Sequence, residues 1–462
     1  MAATSPKTGP ITALRDHLSG EVIGPSDTGY DDARKLFAGN FDKRPGAIVR
    51  PVDAEEVSRV VKFAAEAGSE LAVRSGGHSG AGHSGSDGGI VVDLSAMKAL
   101  DIDVEGRTAW AETGLTAGEY SVAAAEHQLA TGFGDTGSVG IGGLTLGGGI
   151  GYLVRKHGLT IDDLLAADIV TADGSVLRVD EQTHPDLFWA IRGGGGNFGV
   201  ATRFRFRLHE VGSVYGGILM LPATVDTITG FLAEAEAAPE ELSTIANVMK
   251  APPMPFIPEE LHGSLAIFAL MLHSEGGDVG ERAVAPFRAL AEPLADMLRP
   301  MPYPEIYMPQ EEDYHPIAAG RTMFVDGLDQ RAASTILDRI QASDATMAVT
   351  QIRVLGGAMA RVPSDATAFA YRNAKLMVNC AAVVEKAAEL PAHEPWVVQL
   401  ADSLRRGSEG VYVNFLGDEG EAAVRAAYPG ETWDRLREVK RRYDPTNLFR
   451  LNQNIPPADE GP

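Results

Sequence analysis

The sequence is poor in cysteine and in cationic residues. Its 462 residues contain one cysteine, Cys380, so neither an intrachain disulfide framework nor a thiolate metal cage can form. Lysine and arginine total 40 against 63 aspartates and glutamates, and the resulting formal charge of −23 would repel nucleic acids and anionic membranes. We therefore expect no nucleic-acid partner, and we interpret the acidic surplus as an aid to solubility.

Long apolar runs are missing as well. No run of about 18 apolar residues occurs, and the first residues lack the apolar stretch of a secretory signal. We expect no membrane partner and a cytoplasmic location. Hydrophobic residues make up 44% of the chain, which is enough for sizeable cores, and 462 residues favour two or more domains. The sequence leaves the oligomeric state open.

Glycine, by contrast, is abundant. The chain has 52 glycines, roughly 11% against about 7% in ordinary proteins. They cluster at residues 76–89, 132–151 and 193–199 without a fixed period, which is typical of tight turns and of close approach between backbone and ligand. The first two clusters can each form an anion nest from backbone N–H groups, and together they suggest a dinucleotide diphosphate site. Taken alone, each cluster could equally form turns only.

Apolar periodicity predicts short strands alternating with helices between residues 47 and 208. We predict strands at residues 47–50, 71–74, 89–94, 107–112 and 202–208, helices at 53–67 and 116–127, and a hairpin formed by 169–171 and 176–179. From 211 to 414 the pattern changes. There we predict helices at 224–238 and 278–298, a strand at 346–355 and a last strand at 410–416, followed by a C-terminal helix at 431–443.

Four motifs follow one another along the chain. They are Arg74-Ser75-Gly76-Gly77-His78, the cluster from Thr136 to Gly149, the segment Phe188–Val200, and Tyr443-Asp444-Pro445-Thr446-Asn447-Leu448-Phe449. In this order they resemble the motifs of berberine-bridge-enzyme-like FAD-linked oxidases, which belong to the vanillyl-alcohol-oxidase (PCMH-type) superfamily, and in particular the bacterial 6-hydroxy-D-nicotine-oxidase-like branch.

The resemblance implies an α+β fold with three parts. Residues 1–210 are expected to form a PCMH-type FAD-binding domain of two subdomains. Residues 211–414 are expected to form a substrate-binding domain, an antiparallel sheet flanked by helices. Residues 415–462 should return to complete the FAD-binding domain. The implied activity is that of an FAD-dependent oxidase, which removes a hydride from a C–H next to a hydroxyl or amine of a small organic substrate while O2 reoxidises the flavin to give H2O2.

The resemblance also implies how FAD is held. His78 occupies the place of the histidine that is joined to the flavin 8α-methyl group in the family, whereas Thr136 stands where many relatives have a second, cysteine link. We therefore expect a single covalent link. Val139 aligns with a position that gates oxygen, and valine there accompanies oxidases. The other implied FAD contacts are Arg74, Ser75, Gly76, Gly77, Ser79, His83, Thr136, Gly137, Gly140, Gly143, Gly147, Gly199, Val200, Asn452 and Asn454.

The catalytic base is expected in the second part of the chain. Tyr412 and Asn414 resemble the Tyr-x-Asn signature of the family, and alternation along a strand would place them on one face. A tyrosine with an ordinary pKa near 10 needs help from a cation to act as a base. Gln351 and Arg353 also share a strand face, and Arg353 could supply that cation or bind an anionic substrate group. Tyr412 could equally be a core or FAD-contacting ring.

Two other functions stay open at this point. Gly194-x-Gly196-x-x-Gly199 matches the Rossmann string of NAD(P) dehydrogenases, but it leads into a predicted strand, whereas a Rossmann loop opens a helix. The chain could also be a non-catalytic flavin-binding protein of the same fold. No metal site is expected, because His83 has no partner carboxylates at ligand spacing.

Overall fold

A first, four-stranded sheet lies near the start of the chain. The computed structural model describes residues 10–310 and 313–459. The sheet order is Glu21–Ile23, Ala47–Arg50, Ile90–Asp93, Leu71–Arg74, with the last three strands parallel. The helix Ala54–Ala67 packs on this sheet through a buried apolar face. Asp53 begins the helix by accepting the N–H of Glu56 at 2.8 Å.

A second, five-stranded sheet is antiparallel throughout. Its order is Leu100–Asp103, Thr108–Glu112, Val200–Arg207, Leu164–Val170, Val176–Val179. The last two strands form the predicted hairpin, with Val170 opposite Val176. A two-stranded ladder of Leu129–Ala130 and His209–Glu210 lies beside it. The Gly194–Gly199 segment enters the strand Val200–Arg207, so the geometry of a Rossmann loop is absent from it.

The third sheet is large and antiparallel. Seven strands follow the order Ala295–Asp296, Ser213–Pro222, Leu265–His273, Leu242–Lys250, Met347–Val354, Leu376–Val384, Ile317–Val325, and Arg299–Pro302 also pairs with Ser213–Pro222. Four helices share the core on one of its faces: Val225–Ala237, Gly277–Arg288, Gln330–Ala342 and Leu390–Arg405. The predicted α+β fold, with an antiparallel sheet flanked by helices, is confirmed.

Shorter helices connect these layers. They are Pro10–His17, Tyr30–Ala33, Ala117–Ala125, Ile141–Gly147, Val154–His157, Pro185–Ile191, Ala358–Arg361 and Glu421–Ala426. Arg155 joins the short helix Val154–His157 to the third sheet, because its guanidinium donates to the carbonyls of Ala235, Leu242 and Ala238 at 2.9–3.0 Å. Within the described ranges, no helix has the length and apolar character needed to cross a membrane.

The C-terminal helix Glu431–Tyr443 holds the tail that follows it. Lys440 and Asp444 are both fully buried, and Lys440 Nζ lies 2.6 Å from Asp444 Oδ2. Lys440 also donates to the carbonyls of Asn197 and Phe449, at 2.7 and 3.0 Å. The carboxylate of Asp444 is also fully hydrogen-bonded, because it accepts the N–H groups of Leu448 and Phe449. This buried pair fixes the path of the tail beneath the first sheet and the cavity.

Two predicted elements are wrong. The helix expected at 278–298 forms only over Gly277–Arg288, because part of the remainder, Ala295–Asp296 and Arg299–Pro302, pairs instead with the strand Ser213–Pro222. The strand expected at 410–416 does not form. Its backbone is extended at Tyr412 and then makes a 3₁₀ turn at Val413–Phe415. Side-chain bonds to the segment from Leu144 to Ile150 override the alternating sequence pattern there.

Candidate active site

A cavity of about 630 Å³ lies where the two glycine-rich loops, the third sheet and the C-terminal tail meet. The loops and the tail form one side of the cavity. Strands Ile317–Val325, Met347–Val354 and Leu376–Val384 form the other side. Segments far apart in the sequence are therefore brought to a single concave space, which is the form expected of a ligand site.

The first two glycine clusters touch through their backbones. A Cβ added to Gly76 would lie 2.3 Å from the nitrogen of Gly140, and one added to Gly140 would lie 2.2 Å from the nitrogen of Gly76. Neither position has room for a side chain. Two loops predicted from their composition thus form one continuous wall of the cavity.

Bare backbone faces the cavity on the same side. A Cβ on Gly143 or on Gly196 would meet nothing within 4 Å, and both residues line the cavity. The carbonyl oxygens of the Asn452 and Asn454 side chains are buried and have no hydrogen-bond partner among the described residues. Open peptide groups and unpaired amide oxygens fit a large polar cofactor such as FAD.

His78 lies in the wall formed by the first loop. Its Nε2 is 3.1 Å from the Oγ of Ser138, and its ring stacks on Phe37 with 3.8 Å between the ring centroids. Burial lowers the pKa of His78 to about 4, against smaller opposing effects of Ser138 and Asp135. The imidazole is therefore neutral at pH 7, which is the form that has a nucleophilic ring nitrogen.

Most of the residues predicted to hold FAD or to act in catalysis line the cavity. They are Ser75, Gly76, Gly77, His78, Ser79, His83, Thr136, Val139, Gly140, Gly143, Gly199, Gln351, Tyr412, Asn414 and Asn452. The predicted residues outside the lining are Arg74, Gly137, Gly147, Val200, Asn454 and Arg353.

Three of the residues outside the lining hold lining segments in place. Arg74 is buried and donates to the carbonyls of Ala33 and Ser84, so it braces the loop that carries His78. Gly147 leaves room for Asn414, whose Oδ1 would lie 1.9 Å from a Cβ at that position. Val200 pairs with a neighbouring strand in the second sheet.

Tyr412 is 2% exposed, and three N–H groups point at its hydroxyl oxygen. Gly149 donates at 2.9 Å, Ile150 at 3.2 Å and the side chain of Asn414 at 3.0 Å. Burial raises the pKa of Tyr412, whereas these donors and Arg353 act to lower it. Such a ring of donors stabilises a phenolate more than a phenol.

Arg353 is bound to a carboxylate on the loop side of the cavity. Its guanidinium pairs with Asp135, which lines the cavity, and it also donates to Gln351 Oε1 at 2.8 Å and to the carbonyl of Ile150 at 3.1 Å. Gln351 in turn donates to Asn247 at 2.9 Å. Because Arg353 already has a paired anion and is 3% exposed, it is not placed to bind an anionic substrate group.

Sequence reasoning missed Asp135, Ser138 and Phe37. Asp135 and Ser138 lie inside the second glycine cluster, so their position in a motif was visible, although their partners were not. Phe37 precedes every motif, and nothing in the sequence links it to His78. Asn197 was also missed; it is fully buried and ties the third glycine cluster to the tail through Gln453 and Ile455.

Cys380 lies in the core away from the cavity. It is fully buried, packs in the core between the third sheet and its helices, and has its pKa raised to about 12 by that burial. A thiol of this kind is unreactive. Within the described residues, no group of three or more His, Cys, Asp or Glu side chains is arranged to hold a metal ion.

Comparisons with known proteins show the family of this chain. A family model for the FAD binding domain matches residues 45–180, and one described as berberine and berberine like matches residues 411–456. The (R)-6-hydroxynicotine oxidase of Paenarthrobacter nicotinovorans is 31% identical, over 95% of this chain and 97% of that protein.

Solved structures show the same fold. The crystal structure of 6-hydroxy-D-nicotine oxidase from Arthrobacter nicotinovorans has a TM-score of 0.84 at 29% identity, and covers 96% of this chain and 98% of that one. Xylooligosaccharide oxidase from Myceliophthora thermophila, in complex with xylobiose, has a TM-score of 0.86 at 24% identity, over 98% and 100% of the two chains. This chain belongs to the berberine-bridge-enzyme-like family of FAD-linked oxidoreductases and has its PCMH-type α+β fold.

Proposed function

We propose that this FAD-dependent oxidase removes a hydride from a C–H bond next to a hydroxyl or amine of a small organic substrate, and that O2 then reoxidises the flavin to give H2O2. The observation that carries the proposal is the shared cavity. In it, His78, the bare glycine backbone, Tyr412 and one face of the third sheet surround the same space. FAD supplies the hydride acceptor there.

His78 would hold FAD by a covalent bond to the flavin 8α-methyl group. This assignment is supported by the imidazole of His78, which is neutral and half-buried. Ser138 contacts its Nε2 and Phe37 stacks on its ring. The same arrangement argues for one link only, because Thr136 stands beside the cavity where a cysteine would be needed and Cys380 is buried elsewhere.

Tyr412 would take the substrate O–H or N–H proton at its Oη atom. The N–H groups of Gly149, Ile150 and Asn414 stabilise the negative charge that proton loss leaves on this oxygen. Burial raises the pKa of Tyr412, so the group holds its proton at neutral pH. The proposal therefore predicts that the rate of substrate oxidation rises with pH on the alkaline side. Arg353, although paired with Asp135, contributes to the same stabilisation.

Val139 would leave oxygen a path to the flavin. It lines the cavity next to Gly140 and is only partly buried. Residues on the cavity face of the third sheet would bind substrate. They belong to a substrate domain of residues 211–414, which in the sequence lies between an FAD-binding domain of residues 1–210 and a return segment of 415–462. A cytoplasmic location is part of the same proposal, and cell fractionation tests it.

The proposal is tested on the purified protein. After acid precipitation, the yellow flavin should stay with the pellet of the wild-type protein and leave the pellet of His78→Ala. Peptide mass spectrometry should place the flavin on the His78 peptide. A colourless wild-type pellet, or a flavin on the Cys380 peptide, contradicts the covalent assignment.

Catalysis needs a separate assay. A panel of alcohols, sugars and cyclic amines is mixed with the FAD-loaded protein, and flavin reduction and H2O2 are followed. Rapid reduction by a panel member supports the oxidase. Formation of NAD(P)H from added NAD(P)+ by a panel member, without reduction of the flavin, would favour the dehydrogenase. Reduction of neither cofactor by any member would favour the non-catalytic flavin-binding protein.

A further inference from the structure

Alternation on the third sheet defines which residues face the cavity. Gln351 lies directly opposite Asn379 on the neighbouring strand, and Asn379 lies opposite Thr322 on the next. Residues directly opposite each other in an antiparallel pair point to the same face. Gln351 and Asn379 both line the cavity, so the middle of this face presents two side-chain amides.

The two amides differ in how they are used. Gln351 is occupied, because its oxygen accepts from Arg353 and its nitrogen donates to Asn247. The side-chain amide of Asn379 makes no hydrogen bond within the described ranges, and it is half-buried at the cavity wall. A polar group held on a rigid strand and left without a partner is placed to bind a ligand.

Small residues surround this amide. Gly320 and Ala381 form the next cross-strand pair on the cavity face, and the nearest side-chain atom to a Cβ on Gly320 is the Oδ1 of Asn379, at 3.7 Å. Ala318 also lines the cavity two residues along the same strand. The strands therefore place no bulky side chain at these positions beside Asn379.

Among the described residues that line it, the cavity offers no unpaired charge to a substrate. Asp135 is the one carboxylate among the described lining residues, and it is paired with Arg353. No lysine or arginine is found in the described lining. Burial lowers the pKa values of His78 and His83, so both rings are neutral at pH 7. An ionic substrate group would lose its hydration there without gaining a counter-ion.

We propose that Asn379 recognises the substrate, and that the substrate is an uncharged ring compound whose hydroxyl or carbonyl group bonds to this amide. The inference rests on the oxidase function proposed above and names its substrate class. Asn379 is a specificity-determining residue in this scheme, and proton transfer remains with Tyr412.

The test uses FAD-loaded protein and two matched triads of probes. One is 4-hydroxybenzyl alcohol with its 4-carboxy and 4-aminomethyl counterparts, and the other is glucose with glucuronate and glucosamine. Anaerobic titration of the flavin absorbance gives Kd, and stopped flow gives the reduction rate. We expect the neutral member of at least one triad to bind more tightly than its charged counterparts. Equal or tighter binding of the charged members overturns the proposal, as does binding of no neutral member.

Variants of Asn379 test the residue itself. Asn379→Leu should weaken the Kd of the neutral ligand about 3- to 10-fold, the effect of one hydrogen bond, with FAD content and the saturated reduction rate nearly unchanged. Asn379→Asp should shift preference toward the ammonium member. The control, Asn373→Leu, changes an exposed turn residue three positions before the same strand begins and should leave Kd unaltered. An unchanged Kd in Asn379→Leu overturns the assignment of this residue. A wild-type protein that does not bind FAD, or forms no H2O2 with any probe, counts against the proposed function instead.

Discussion

The buried pair of Lys440 and Asp444 gives a prediction whose size follows from the structure. Lys440→Met removes a charge that is fully buried and hydrogen-bonded to two carbonyls and a carboxylate. Asp444 then keeps its charge in the core without its cation. Breaking a buried ion pair in this way costs about 3–5 kcal/mol, because desolvation of the remaining charge is no longer repaid. We expect the free energy of unfolding to fall by that amount.

Urea denaturation followed by tryptophan fluorescence measures this change. The double variant Lys440→Met, Asp444→Asn leaves no uncompensated charge, so it should be less destabilised than the sum of the two single variants. Arg441→Met is the matched control on the same helix: its ion pair with Glu438 is 3.6 Å long and solvent-exposed, and its loss should cost about 0–1 kcal/mol.

Proteolysis reports the same event at the tail. Arg450 is exposed and directly follows Phe449, whose carbonyl and N–H are bound to Lys440 and Asp444. Lys440→Met should therefore speed tryptic cleavage after Arg450. If Lys440→Met costs no more than the Arg441→Met control, or if the losses of the single variants simply add, the buried pair does not hold the tail as described.

Three further predictions concern the cavity and its surroundings. Val139→Ile should slow reoxidation of the flavin by oxygen while sparing its reduction by substrate; equal reoxidation rates in stopped flow would mean that Val139 only packs. Tyr412→Phe should keep FAD bound and lower the reduction rate about 10²–10⁴-fold, with loss of the alkaline pH dependence; a rate within a few-fold of wild type would move the base elsewhere. Burial, aided by His209 and Lys156, lowers the pKa of His157 to about 3, so only the unfolded chain gains a proton as the pH falls below about 6.5. Stability should then decline by up to about 1.4 kcal/mol per pH unit, and His157→Asn should flatten this slope in denaturation experiments.

Local patterns in the sequence predicted the cavity walls well. A strand ending in glycine and histidine, and a second cluster of small residues, are short-range features, and His78, Gly76 and Gly140 line the cavity. The periodicity of the helix Glu431–Tyr443 also predicted its buried face. The structure of such elements depends mainly on residues that are close together in the sequence, so composition and spacing are enough to predict them.

Partners across the cavity could not be predicted in the same way. Asp135 and Arg353 are 218 residues apart, and no spacing rule links them. The expected strand at 410–416 failed for a related reason. Its alternating residues favour a strand locally, but Tyr412 and Asn414 gain bonds to another segment that a regular strand would forgo. Where tertiary bonds compete with local preference, the sequence pattern misleads.

The two faces of the third sheet have different roles. Residues such as Cys380 and Ile352 pack under the helices, while their neighbours Asn379 and Gln351 open onto the cavity. Substitutions on the open face should therefore alter the shape of the pocket with little cost to the packed face, and changes at well-separated positions should combine nearly additively. A mutant library restricted to the open face, at positions such as Gly320 and Ala381, would explore new substrates while keeping most of its members folded.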